Sequence, residues 1–235
     1  MAPQTGYQGM NRTLLLAANS DAHTVQLAQE ALAAGFTVMA AVDPSADNPS
    51  PTAGTATGEV TGSAVRVSRV AWNRRSPISA RAMLVQACNI AAPISDIIYL
   101  HVPQTVTTPF HEIRAPRFET TVDVDTRGRL FLLREALGYL QREGRGSLTL
   151  MFHGELNAET PPLDAEGAGA FLALGRSLFT QYHNEPLQLR GFQSAGAPFA
   201  QFARFVLQQL VADNPRQRGR WFKCSTKATL FPFSR

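Results

Sequence analysis

Apolar residues in this chain come in short runs, and the stretches between the runs carry a single apolar stripe. Thr13-Leu-Leu-Leu-Ala-Ala18 is a run of strand length; Val25, Leu27, Ala28, Ala31 and Leu32 after it share one face of a helix ending near Gly35. Strand-like runs follow at 36–42, 64–71 and 96–102, with a helical pattern over 77–91 between the last two. The second half predicts a long helix over 118–142, a strand over 147–152 and a helix over 164–182. A strand over 187–192, an amphipathic helix over 199–213 and a last strand over 220–224 complete the pattern. Strands that alternate with helices are joined by crossovers, which build a parallel sheet covered on both faces. The expectation is one α/β domain over residues 12–226, a doubly wound, seven-stranded parallel sheet. Residues 1–11 read as a flexible N-terminus. Between Pro44 and Ser63 the chain is made almost wholly of Pro, Ala, Ser, Thr, Gly, Asp and Asn, and it reads as a mobile loop.

Composition narrows the class. A chain of 235 residues with 44% apolar and 17% charged positions forms an ordinary core, which excludes disordered, collagenous and coiled-coil classes. No run of about 18 apolar residues occurs, and 1–11 has neither a basic nor an apolar block, so a soluble, cytoplasmic chain with no membrane partner is expected. Cys88 and Cys224 are too few for a disulfide framework or a metal knuckle, and they read as buried thiols. The net charge of +4 comes from twenty arginines and two lysines, scattered without interleaved aromatics, so nucleic acid is not expected as a partner. Both lysines, Lys223 and Lys227, lie at the C-terminal end.

Five segments carry a resemblance. Gln29-Glu-Ala-Leu-Ala-Ala-Gly35, Ser95-Asp-Ile-Ile-Tyr-Leu100, Asp123-Val-Asp-Thr-Arg-Gly128, Gly146-Ser-Leu-Thr-Leu-Met151 and Leu174-Gly-Arg-Ser-Leu178 occur in this order and at these separations. Together they resemble the short-chain dehydrogenase/reductase family over roughly residues 12–226, which implies a Rossmann-like sheet, a nicotinamide dinucleotide and a Tyr-x-x-x-Lys proton-transfer pair.

The chemistry-bearing positions depart from that family. A dinucleotide pyrophosphate lies against bare backbone at a glycine-rich first turn. The turn here is Leu16-Ala-Ala-Asn-Ser-Asp-Ala-His-Thr24, with no glycine from residue 11 to residue 34. The slots matching the family's three glycines are Ala18, Ala22 and Thr24, and Asp21 is expected to cap the following helix with its carboxylate. Asp43, near the end of the second strand, could hold a ribose. No tyrosine occurs between Tyr139 and Tyr182 and no lysine before Lys223, so the Tyr-x-x-x-Lys pair cannot occur on the 164–182 helix. By the family's spacing the Tyr slot falls at Asp164, the Lys slot at Ala168, the Ser slot at His153 and the Asn slot at Asp125. Phe192-Gln-Ser-Ala-Gly-Ala-Pro-Phe199 runs almost directly into the next helix and leaves little chain for a substrate lid.

The pattern of loss implies a non-catalytic subunit that binds no cofactor itself and pairs with a catalytic paralogue carrying NAD, in a hetero-oligomer of α2β2 type. It is similar in kind to the inactive subunit of the heteromeric hydroxyacyl-CoA dehydrogenase of toluene degradation by the benzylsuccinate route. The family's helix pairing then implies an interface at Leu130, Leu133, Leu137, Gly169, Ala173 and Gly175. The tail 227–235, with Phe231 and Phe233, would dock on the partner. Two rivals stay open: a stand-alone lyase or hydrolase with His153 as base and Asp125 as its orienter, and a homo-oligomer that binds a small ligand in the altered cleft. The five histidines have no metal-ligand spacing.

Overall fold

Strands β1 (Thr13–Ala18), β2 (Thr37–Val42), β3 (Ser68–Ala71), β4 (Asp96–His101), β5 (Ser147–Phe152), β6 (Gln188–Ala195) and β7 (Trp221–Ser225) hydrogen-bond in the order β3-β2-β1-β4-β5-β6-β7. All six pairings are parallel. The computed structural model describes residues 12–44, 67–214 and 217–225. The expected N-terminal segment, nearly all of the 44–63 loop and the tail with Phe231 and Phe233 lie outside these residues.

Strands β1, β4 and β5 are buried along their whole length, as the interior of a parallel sheet requires. Their alternate residues serve two cores. Leu14, Leu16, Ile98 and Leu100 face α1 (Asp21–Ala33) and α6 (Phe199–Ala212). Leu15, Ala17, Ile97 and Tyr99 face α2 (Pro77–Ile90), α4 (Arg129–Glu143) and α5 (Pro162–Gln181). The first strand, β1, lies inside the sheet; from it the chain winds outward to β3, then crosses over to β4. This reversal opens a crevice at the carboxyl ends of β1 and β4, where sheets of this kind bind ligands.

The expected long helix is interrupted. It begins as α3 (Ala115–Thr121), passes through a π-helical segment (Val122–Gly128) and continues as α4. The π turn buries Asp125 and Gly128, and such turns recur at functional sites. A Cβ on Gly128 would lie 2.8 Å from the Arg74 Cβ and carbonyl oxygen, so the glycine permits this close approach. Below the turn, Arg129, Leu132, Leu133, Ala136, Leu137 and Leu140 form the buried stripe of α4.

Trp221 corrects one expectation. Its indole lies against Gly175 and Gly191 and donates from Nε1 to the Leu172 carbonyl at 3.1 Å. Gly175 therefore belongs to packing inside the chain rather than to an outward face. Gly169 on the same helix has open space around it. Gly191→Ala should destabilise the protein by about 1–3 kcal/mol, because its methyl would enter the indole. Gly169→Ala should stabilise it by about 0.8–1 kcal/mol through helix propensity alone. Urea denaturation of the two variants measures both, and equal shifts would contradict this packing.

Candidate functional site

The first turn is held by side chains rather than shaped by glycine. Asn19 stands at the end of β1, and its Nδ2 donates to the Val102 carbonyl at 2.8 Å while its Oδ1 accepts from the Val102 N–H at 2.9 Å. One amide thereby continues the β1–β4 ladder beyond its last backbone pair. The same Nδ2 donates to Asp125 Oδ1 at 2.9 Å, which ties the turn to the π segment. Ser20 is the N-cap of α1 but makes no side-chain cap bond; its hydroxyl bonds His23 Nδ1 at 2.8 Å. The Thr24 hydroxyl donates to the Ser20 carbonyl at 2.9 Å.

Arg74, just after β3, spans the crevice. Its guanidinium donates to the Ala18 carbonyl at 2.8 Å and to Asp21 Oδ1 at 3.0 Å, reaches Asp43 Oδ2 at 3.4 Å, and lies over the Trp72 ring at 5.4 Å. Its side chain is 7% exposed. Asp21 was expected to cap α1; its carboxylate instead answers this buried cation, because an unpaired charge there would cost several kcal/mol.

A second guanidinium lies beneath the π segment. Arg129 is 1% exposed, donates to the Gly167 carbonyl at 3.4 Å and stacks over Phe171 at 5.3 Å. Burial pushes the Asp125 carboxyl up; the Asn19 hydrogen bond and then the fields of Arg129 and Arg74 pull it back, and Asp164 raises it. The Tyr99 hydroxyl and Arg129 Nε are buried without a hydrogen-bond partner. Burial raises the Tyr99 phenol, and burial followed by the Arg129 charge lowers His101 to about 3.

A cavity of about 430 Å³ is lined by His23, Val102, Pro103, Thr105, His153 and Asp164, among others. The His23 and His153 ring centroids are 5.8 Å apart, and both rings meet Phe199 edge-on. Burial lowers both imidazoles, and His23 lowers His153 further. Asp164 accepts from the Gln104 and Val106 backbone N–H groups at 2.8 and 2.9 Å. Among the described residues no group of three or more His, Cys, Asp or Glu could hold a metal ion. No helix among them is long and apolar enough to cross a membrane.

The positions singled out in the sequence have the following places in the structure. Ala18 offers its carbonyl to Arg74, Ala22 is exposed on α1, and Thr24 is buried. Ala168 packs in the core, and Asp164 fastens the chain after β4. His153 and Asp125 do not form the base–orienter pair of the rival reading: Asp125 bonds Asn19, while the rings around His153 are His23, Phe199 and Phe202, and its Nδ1 has no partner. On the outward face, Leu130 and Ala173 are exposed, whereas Leu133 and Leu137 are buried in the chain. Beside them a groove of about 1010 Å³ runs between α2, α4 and α5. Sequence reasoning missed Asn19, Arg74, Tyr99 and Arg129. Arg129 had a signal, since it stands in phase with the apolar stripe of α4.

No protein-family model matches the chain, and no curated protein matches it in sequence. Solved structures do match. A Serratia marcescens short-chain dehydrogenase/reductase variant is 13% identical, with 92% of this chain and 96% of that one covered at a TM-score of 0.64. An acetoin dehydrogenase from Enterobacter cloacae is 12% identical over 93% and 95% at 0.69, and ElxO with NADP bound is 10% identical over 92% and 98% at 0.69. The fold is therefore that of short-chain dehydrogenase/reductase structures, with a single seven-stranded all-parallel sheet.

Burial of His101 sets a pH dependence. At neutral pH its imidazole is uncharged in the folded and the unfolded chain. Below 6.5 the unfolded chain takes up a proton that the folded ring refuses until about 3, so stability falls with acidity across that window. His23 and His153 act in the same direction. His101→Phe should keep the contacts to Phe152 and Phe171 and flatten the fall in unfolding free energy below pH 6.5. Denaturant titrations at several pH values check this; an unchanged slope would contradict it.

Proposed function

We propose that the chain is a non-catalytic member of the short-chain dehydrogenase/reductase family, a structural subunit beside a catalytic paralogue that carries NAD and acts on a hydroxyacyl-CoA-type substrate. The observation that carries this reading is the Arg74 guanidinium, which spans the crevice from Ala18 to Asp43. A dinucleotide needs bare backbone and open N–H groups for its pyrophosphate and an acid near the end of the second strand for its ribose. In this chain the acid in that place, Asp43, faces Arg74, and Asp21 sets a carboxylate at the helix start, where a diphosphate would meet its charge. The residues present do not fit the cofactor.

The proton-transfer positions support the same reading. Asp164 occupies the Tyr slot with both oxygens bound by backbone N–H groups, and Ala168 puts a methyl where the family places a lysine. Three residues separate β6 from α6, too few for a lid. The rival with His153 as base lacks its orienter, since Asp125 bonds Asn19.

Calorimetric titration of the purified chain with NAD and with NADP should show no binding. A micromolar dissociation constant, worth about −8 kcal/mol, would overturn the reading. Assembly gives a second test. Ala173 is exposed on α5, so Ala173→Arg should leave the isolated chain folded and separate it from its partner, because an unpaired charge buried between subunits costs several kcal/mol. Size-exclusion chromatography with circular dichroism reads both effects; an assembly that survives the arginine would exclude this face as the interface.

A further inference from the structure

The cavity beside His23 and His153 has a chemistry that the subunit reading does not use. It lies between the start of α1, the chain after β4 and the chain after β5, and its volume of about 430 Å³ is within the range of small-molecule sites. Its ionisable lining consists of Glu155, Glu159 and Asp164 with the two imidazoles, and none of its lining residues is a lysine or an arginine. Both imidazoles have their basicity lowered by burial, so at neutral pH they are uncharged groups with lone pairs to offer. The lining is therefore negative. Apolar wall is supplied by Val102, Pro103 and Pro161.

Two details describe the wall of this cavity. Thr105 in the wall has φ of 54°, a left-handed conformation that costs a threonine about 1–3 kcal/mol. The Asp164 carboxylate holds it there by accepting from the N–H groups on either side, those of Gln104 and Val106. Such strain collects at ligand clamps and persists only where neighbours impose it. The Nδ1 of His153 is also buried with no hydrogen-bond partner, and its ring packs against Phe199 and Phe202.

We infer that this cavity binds a small organic cation with N–H donors, an alkylammonium or guanidinium compound. Its charge meets Glu155 and Glu159 at the exposed mouth, its N–H groups donate to the imidazoles, and its carbon chain lies on the valine and prolines. A phosphate- or carboxylate-bearing ligand of the same size finds no positive group to receive it. This inference stands apart from the non-catalytic reading, because neither Arg74 nor its carboxylate partners Asp21 and Asp43 line the cavity.

The test uses the full chain with agmatine and putrescine as cationic probes, and succinate and inorganic phosphate as anionic ones. Saturable shifts of the His23 and His153 ring protons are expected with the cations and not with the anions. The double variant Glu155→Gln, Glu159→Gln should melt at the wild-type temperature and bind agmatine roughly tenfold more weakly, as the loss of a charged hydrogen bond implies. Three results would overturn the inference: no saturable shift with either cation, equal binding of the anions, or unchanged agmatine affinity in the folded double variant.

Discussion

A guanidinium taken out of water needs anionic partners and acceptors for its N–H groups, and Arg74 imposes that need on every element around the crevice. Its acceptors come from the end of β1, the start of α1 and the residue after β2, and its flat face lies on Trp72 after β3. The first four elements of the chain are thereby fixed against one another by one side chain. The cost appears at position 128, where any side chain would strike the Arg74 backbone and the helix must present glycine.

The π turn lies at the same close approach. It sets Asp125 inward, where Asn19 and the fields of Arg74 and Arg129 hold the carboxylate. A regular helix carries its side chains round by about 100° per residue, and one wider turn changes that phase so that Asp125, Gly128 and Arg129 all face the sheet. Arg129 then lies over Phe171 close to the Tyr99 ring, and the two guanidiniums flank a single carboxylate. The polar groups beneath the crevice form one electrostatic unit.

Much of the fold was legible because a parallel sheet buries its strands on both faces and so writes them as continuous apolar runs; β1, β4 and β5 coincide with theirs. The boundaries of α2, α5 and α6 were close for the same reason, since one stripe meets one core. The π turn was not legible: no local pattern separates 122–128 from the helix around it, and the contact it accommodates, Gly128 on Arg74, lies some fifty residues away in sequence. Asp21 and Gly175 were misread alike. Each has a common local role, capping and helix contact, and each is claimed by a distant side chain, Arg74 and Trp221. At the site, the partners of Asp125, His153 and Asp164 depend on side-chain direction, which spacing does not carry.

Buried ion pairs add little net stability over apolar residues of the same volume, while removal of one member is costly. The Arg74 clamp therefore secures the geometry of the turn more than it raises the stability of the fold. The topology makes a crevice at the β1–β4 switch point whatever the sequence, and something must occupy it: water, a ligand or a side chain. Asn19, bonded to both Val102 and Asp125, ties the end of β1 to the chain after β4 and to the π segment. Toward β2 and β3 a side chain with two carboxylates fills the crevice. Between the start of α1 and the chains after β4 and β5 lies a cavity walled by neutral imidazoles and acids, with no arginine in its lining.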